Sequence, residues 1–117
     1  MAKPLTLQTY QAAVDAWIQE IGVRYFDPLT NLGVLMEEAG EVARLIIRTD
    51  GEQSFKKGHK PVDLQEALAD ELADVLFCIT CLANQKGIDL TAALQKNLAK
   101  KTGRDKERHA NNQKLTA

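Results

Sequence analysis

Two pairs of acidic residues, spaced about thirty residues apart, constrain the fold of this chain more than any other feature. Glu38 and Glu41 lie in an apolar-periodic run over residues 32–47, and Glu71 and Asp74 lie in a second such run. Residues at positions i and i+3 share one face of a helix, so each pair can direct its oxygens to one point. If the two helices pack side by side, four carboxylates meet in one cluster.

The carboxylates stand where apolar residues are expected. In the second run, steps of three and four residues trace a helical stripe, here called a seam: Leu64, Leu68, Glu71, Val75, Cys78 and Leu82. Glu38 likewise stands four residues after Val34 and four before Val42. Because a seam normally faces another helix, these positions predict carboxylates in a helix–helix contact and not on a free surface.

The ordinary alternative is a solvated acidic face, since Glu is rarely buried. A carboxylate in a seam needs a partner, and no Lys or Arg shares these stripes. A divalent cation would supply the missing positive charge, and Mg²⁺ prefers carboxylate oxygens together with water and substrate phosphates. We therefore favour a metal site over a solvated face.

Length and charge indicate one soluble domain. A chain of 117 residues with 44% hydrophobic and 26% charged residues has an ordinary globular composition. The net charge of −1 provides no basic field, so nucleic acid is not an expected partner. The longest strictly apolar run, residues 75–79, is too short to span a membrane, and no leader pattern precedes it. We expect a cytoplasmic protein that does not enter the membrane.

Capping signals divide the chain into four helices, at about residues 7–21, 28–48, 64–87 and 90–103. The predicted N-caps are Thr6, Asp27, Asp63 and Asp89. Residues 49–62 contain two glycines and a proline and are predicted to form a loop. No segment alternates with period two, so no sheet is expected. The prediction is an all-α, four-helix bundle-like fold over residues 1–117, with a polar tail from about residue 105 that frays.

Cys78 and Cys81 form a C-x-x-C in the middle of the third predicted helix. A redox pair belongs at a helix N-terminus, where the thiolate is stabilised, and a metal site would need further ligands nearby. We interpret both cysteines as reduced core residues.

The two acidic boxes resemble a known signature. The run from Glu37 to Glu41, followed by the run from Glu71 to Asp74, resembles the E-E-x-x-E…E-x-x-D pattern of MazG-type all-α nucleoside triphosphate pyrophosphohydrolases. The resemblance extends over about residues 5–108. The gap between the boxes is near the long end of the pattern, which affects the expected loop geometry and not the site.

This resemblance implies cleavage between the α- and β-phosphates of a nucleoside triphosphate, giving a monophosphate and pyrophosphate, as in house-cleaning of the nucleotide pool. The cofactor would be Mg²⁺, with Mn²⁺ as a substitute. By match to the motif, the metal ligands are Glu38, Glu41, Glu71 and Asp74. Glu37 is either the residue that orients or deprotonates the attacking water, or a surface neighbour paired with Arg44.

Substrate contacts are predicted at two further places. Lys96, Lys100 and Arg104 recur every four residues as one basic stripe, which the resemblance favours as a clamp on the triphosphate. The alternative is a cationic helix end that complements the macrodipole. Trp17 is the candidate platform for the base, although a lone Trp at helical spacing is also typical of a core.

Apolar residues beside the seams predict a homo-oligomer, either a dimer or a tetramer, with active sites completed near the interface. These residues are Leu32, Met36, Ala43 and Ile46. Three alternatives for the function stay open at this point. They are phosphoribosyl-ATP pyrophosphohydrolase, a di-iron carboxylate bundle, for which the chain lacks Glu-x-x-His pairs, and a non-enzymatic helical interaction module.

Overall fold

Five helices form the part of the chain that the computed structural model describes, residues 4–116. They are α1 (Leu7–Glu20), α2 (Pro28–Asp50), α3 (Leu64–Gln85), α4 (Leu90–Ala110) and the short α5 (Gln113–Thr116). No strand occurs within these residues, which confirms the all-α prediction. None of the helices there has the length and apolar character needed to cross a membrane.

The helix starts follow the predicted caps. Thr6 and Thr9 form a reciprocal capping box at the start of α1. The Asp63 side chain accepts a hydrogen bond from the Glu66 N–H at 3.0 Å, and Asp89 accepts one from the Thr91 N–H at 3.0 Å. Asp27 occupies the cap position of α2 without a side-chain capping bond. There the fixed φ of the following proline starts the helix instead.

Packing centres on α3. Helix α2 lies against α3 along its length, and α1 covers another side of α3. The buried core residues Val14, Ile18 and Cys81 join α1 to α3, and Tyr10, Tyr25 and Phe77 pack around them. Both cysteines are free and buried, as predicted. Because α2 and α3 are the two helices that carry the acidic pairs, their packing brings the two seams together.

Helix α4 is longer than the sequence indicates. The prediction that it ends near Gly103 is wrong, since α4 continues to Ala110. Asp105 pairs with Arg104 at 2.8 Å and with Arg108 at 3.6 Å, so local ion pairs hold the last turns together. Cations near the C-terminus also complement the macrodipole, which helps offset the cost of about 1 kcal/mol for an interior glycine.

Most of α4 stands away from the other helices. It packs mainly against α1 and α5, and beyond its first turn its residues are exposed, with the exception of Asp105. The radius of gyration is 18.1 Å, whereas a compact chain of this length has a value of about 13 Å. The extended shape leaves apolar side chains of α4 in solvent, including Leu94 and Leu98.

Candidate active site

Three of the predicted metal ligands meet where α2 crosses α3. Glu38, Glu71 and Asp74 each offer one carboxylate oxygen, and these oxygens all lie within 4.8 Å of one another. All three side chains are half-buried. Glu41, one turn further along α2, is exposed and lies outside this group. We call Glu38, Glu71 and Asp74 the carboxylate cluster.

The cluster resists full ionisation. Burial, the adjacent carboxylate of Glu38 and the charges of Asp74 and Glu41 together raise the pKa of Glu71 above its ordinary value. A proton held by Glu71 therefore relieves part of the repulsion in the cluster. A cation bound between the three carboxylates would do the same more completely.

The donor set suits a hard divalent cation. It contains carboxylate oxygens alone, drawn from two helices, and Mg²⁺ and Mn²⁺ favour such oxygen ligands. Two of the ligands, Glu71 and Asp74, are spaced i,i+3 on α3 and so share one face of that helix. The residues present therefore fit a divalent metal ion.

A cavity of about 380 Å³ opens beside the carboxylate cluster. Its wall includes Glu38 and Asp74, so the cavity and the cluster share two side chains. The remaining wall comes from α1, the α1–α2 connection, α2 and α3: Trp17, Ile18, Gly22, Arg24, Tyr25, Phe26, Asn31, Val34, Phe77, Cys78 and Cys81. We call it the aromatic cavity. A flat aromatic ring placed in it would lie next to the carboxylates.

Trp17 forms part of this wall, where the sequence analysis placed a candidate base platform. Its ring meets Phe77 edge to face, with centroids 5.8 Å apart and an interplanar angle of 87°. The side chain is 47% exposed, so one part of the indole supports Phe77 and another is open to a ligand. The structure thus shows Trp17 packing on Phe77, and its role as a base platform stays a prediction.

The connection between α1 and α2 positions the aromatic residues by a tight turn. Val23 adopts φ = 72°, a left-handed conformation that is unusual for a β-branched residue. The Tyr25 hydroxyl donates to Asp15 at 2.7 Å and accepts from the Asn84 side chain at 3.1 Å. Burial and the hydrogen bond to Asp15 raise the pKa of Tyr25 to about 12, so this tyrosine stays protonated and holds the turn.

The thiols on the wall are chemically quiet. Burial raises the pKa of Cys81 to about 11, and burial together with the charges of Glu38 and Asp74 raises that of Cys78. A protonated thiol is a poor nucleophile and a poor metal ligand. The cysteines therefore contribute apolar surface to the aromatic cavity.

A pair of carboxamides on the same seams was not predicted from the sequence. Asn31 is buried, and its Nδ2 donates to Gln85 Oε1 at 2.8 Å, from α2 to α3. Gln85 Nε2 donates in turn to the Phe26 carbonyl at 2.7 Å. The signal was present in the spacing, because Asn31 stands seven residues before Glu38 and Gln85 stands seven after Cys78. Both carboxamides therefore continue the helical periodicity of the seams.

The basic stripe is not brought to the carboxylate cluster of its own chain. Lys96, Lys100 and Arg104 lie on the exposed part of α4, which packs mainly against α1. Arg104 is bonded to Asp105 through two hydrogen bonds of 2.8 and 3.0 Å.

Glu37 is exposed on α2 and borders Glu38 in sequence. Within residues 4–116 the ion pairs all involve Asp105, so the predicted surface pair of Glu37 with Arg44 does not form there. The carboxylate of Glu37 is therefore exposed to solvent on α2.

Similarity to known proteins extends over most of the chain. The family model described as the MazG nucleotide pyrophosphohydrolase domain matches residues 26–109. The chain belongs to the MazG family. The whole carboxylate cluster lies inside the matched segment, whereas Trp17 lies before it. As a MazG protein, the chain is a hydrolase that acts on phosphoric anhydrides, which confirms the resemblance drawn from the acidic boxes. MazG enzymes generally use a divalent metal ion.

Two relatives from one organism are similar over nearly their full length. YpjD of Bacillus subtilis strain 168 is 37% identical over 103 residues, which cover 88% of this chain and 89% of YpjD. YvdC of the same organism is 28% identical over 99 residues, covering 80% of this chain and 93% of YvdC.

Two solved structures share the fold. The crystal structure of the Bacillus-conserved MazG protein, described as a nucleotide pyrophosphohydrolase, has a TM-score of 0.71 at 34% identity, covering 91% of this chain and 99% of that one. The crystal structure of YpjD has a TM-score of 0.72 at 34% identity, covering 85% of this chain and 97% of that one.

Proposed function

We propose that this MazG protein is a Mg²⁺-dependent pyrophosphohydrolase of nucleoside triphosphates, deoxy or ribo, that cleaves between the α- and β-phosphates. The products are a nucleoside monophosphate and pyrophosphate, and the role is house-cleaning of the nucleotide pool. One observation supports this proposal above the others: the carboxylate cluster forms part of the wall of the aromatic cavity. A base in the cavity and a phosphate chain at the carboxylates would be neighbours.

In this proposal Glu38, Glu71 and Asp74 hold the metal, with Glu41 as a fourth ligand one turn away. A bound divalent cation neutralises phosphate oxygens and makes a coordinated water more acidic. The residues of the chain orient the reactants: Trp17 and the neighbouring aromatic side chains hold the base, which directs the triphosphate toward Glu38 and Asp74. Glu37, exposed beside Glu38, accepts the proton of the attacking water.

The basic stripe is assigned to the triphosphate of a second copy of the chain. Because α4 stands away from its own carboxylate cluster, Lys96 and Lys100 can reach the cluster of another protomer. Arg104 can do so by exchanging its hydrogen bonds with Asp105. Exposed apolar residues on the same chain support a homo-oligomer, a dimer or a tetramer: Leu29, Leu32, Met36, Ile46, Leu72, Leu76, Leu94 and Leu98. Light scattering at micromolar concentration should show a mass above the 13.0 kDa of one chain, and a monomer would overturn this assignment.

The activity is tested by product analysis. Ribo- and deoxynucleoside triphosphates, damaged nucleotides and phosphoribosyl-ATP are incubated with Mg²⁺, with Mn²⁺ or with EDTA, and products are separated by ion-exchange chromatography. The expected products are monophosphate and pyrophosphate, formed with either metal and not in EDTA. Diphosphate with inorganic phosphate, or no turnover of any nucleotide, would refute the proposal.

A pair of matched variants ties the activity to the cluster. Glu71→Gln removes one carboxylate of the cluster and should abolish most turnover. Asp70→Asn makes the same chemical change at the exposed preceding position and should leave turnover intact. Equal loss in both variants would indicate that the effect is not specific to the cluster.

A further inference from the structure

A short hydrogen-bonded chain fixes the orientation of two carboxamides beside the aromatic cavity. The Phe26 backbone carbonyl can only accept a hydrogen bond, so the Gln85 group that donates to it at 2.7 Å must be the NH₂. Gln85 Oε1 is then turned away and must receive a donor, which is Asn31 Nδ2 at 2.8 Å. The same Nδ2 lies 3.5 Å from the Phe26 carbonyl. A backbone group thus determines which way Asn31 points.

This arrangement leaves the Asn31 carboxamide oxygen as a free acceptor. Asn31 is only 6% exposed, and its Oδ1 accepts no hydrogen bond from residues 4–116. Within that range every fully buried side-chain nitrogen or oxygen has a partner. The Oδ1 atom is therefore not sealed in, and the space that Asn31 borders is the aromatic cavity.

Other polar groups of the wall are occupied or exposed. The Tyr25 hydroxyl donates to Asp15 and accepts from Asn84, which uses its donor and one acceptor site. The Arg24 guanidinium donates to the Tyr25 carbonyl and its side chain is in solvent. Glu38 and Asp74 belong to the carboxylate cluster. Asn31 is thus a buried side chain on a wall that is otherwise mostly aromatic, aliphatic or thiol, and its Oδ1 is the atom that its hydrogen bonds leave without a partner.

Building on the proposed function, we infer that Asn31 selects nucleotides whose base presents an exocyclic amino group, cytosine through N4 or adenine through N6. Such an amino group donates to Oδ1, whereas uracil, thymine and hypoxanthine present a carbonyl at the same place. Asn31 Oδ1 and the carbonyl oxygen of the base are then two acceptors facing each other, which disfavours binding of that base. Asn31 cannot turn its NH₂ outward, because its oxygen would then face Gln85 Oε1. Gln85 is therefore a positioning residue for this selectivity.

The expected discrimination is about tenfold to a hundredfold in kcat/KM, the range for leaving a buried polar group without its partner. It is measured on two pairs of substrates that differ only by amino against carbonyl, dCTP with dUTP and dATP with dITP. Wild-type protein should favour the amino member of both pairs. Equal kcat/KM within each pair, or preference for the carbonyl member, would overturn the inference while leaving the proposed function standing.

Variants separate selectivity from structure. Asn31→Ala removes the acceptor and should bring the two members of each pair together. Gln85→Leu leaves only the 3.5 Å contact with the Phe26 carbonyl to orient Asn31, so it should narrow the preference within each pair. Asn97→Ala, at an exposed position on α4, should keep the wild-type ratio. If Asn31→Ala and Gln85→Leu lower kcat/KM for both members equally and keep the ratio, the residues are structural only and the inference fails.

A binding measurement keeps the test independent of turnover. Calorimetry with dCMP and dUMP on wild-type protein reads the base contact without any cleavage step. Tighter binding of dCMP supports the inference even where no substrate releases pyrophosphate, in which case only the proposed function has failed. Equal binding of the two monophosphates, or tighter binding of dUMP, overturns it.

Discussion

Without metal, the Glu71→Gln variant should be more stable than wild type. With Mg²⁺ present, it should be less stable than wild type. In the carboxylate cluster the oxygens of Glu38, Glu71 and Asp74 lie at most 4.8 Å apart. Two unit charges at that separation repel by about 0.9 kcal/mol even with the screening of bulk water. Glu71 faces two such charges, so removing its charge should raise the free energy of unfolding by about 2 kcal/mol at pH 8 in EDTA.

The effect of pH on this difference has a defined sign. The pKa of Glu71 is raised in the folded protein above its ordinary value of 4.5, because of burial and the neighbouring carboxylates. The unfolded chain therefore releases this proton at lower pH than the folded chain does, and the wild-type protein loses stability as the pH rises from 4.5 through the raised value. Glu71→Gln lacks this titration. Its advantage in EDTA should therefore be smaller near pH 4.5 than at pH 8.

Magnesium should reverse the order of the two proteins. At one hundred times its dissociation constant, a ligand that binds only the folded state adds about 2.7 kcal/mol. Wild type gains this amount at pH 8, and Glu71→Gln gains little because one ligand is missing. Urea unfolding followed by circular dichroism, with Asp70→Asn as the matched control, measures all four combinations. A Mg²⁺ increment that is equal in both proteins, or a less stable Glu71→Gln in EDTA at pH 8, would refute the reasoning.

Three further changes have expected outcomes. Val23→Gly should raise the free energy of unfolding by about 1 kcal/mol in thermal melts, because glycine adopts the left-handed conformation without strain; an unchanged or lower melting temperature would show that the turn is not strained. Tyr25→Phe should lower it by about 1–2 kcal/mol through loss of the hydroxyl's two hydrogen bonds, and an unchanged urea midpoint would contradict this. Asp74→Ala should reduce kcat about a hundredfold or more in the pyrophosphate assay while the circular dichroism spectrum stays helical; retained turnover would remove Asp74 from the proposed site.

Local signals in the sequence predict the helices that have clear ends. Thr6, Asp63 and Asp89 cap the helices that they were expected to cap, because a side-chain oxygen three or fewer residues from an open N–H is a purely local interaction. The end of α4 was predicted wrongly because a single glycine such as Gly103 is only a weak signal for the end of a helix. The ion pairs of Asp105 act over the same short range and outweigh it.

The candidate site was predictable as far as helical spacing determines it. Placing Glu38 and Glu71 in two facing seams follows from periodicity, and Asp74 follows from its i,i+3 spacing to Glu71. The separation of Glu41 from these three depends on how α2 is rotated against α3. The contact of Asn31 with Gln85 likewise requires the relative height of the two helices, which no single helix encodes. The direction of α4 is even less predictable from the sequence, because few contacts with the other helices constrain it.

The hydrogen bond between Asn31 and Gln85 also affects how α2 and α3 align during folding. Apolar side chains tolerate a shift of one helix along the other, whereas a shift of one turn, about 5.4 Å, would leave the amides of Asn31 and Gln85 without partners. A single polar contact of this kind can specify the register of a helical pair. Variation at either position would thus disturb helix alignment unless the other changed with it. In natural MazG sequences, positions 31 and 85 should therefore vary together.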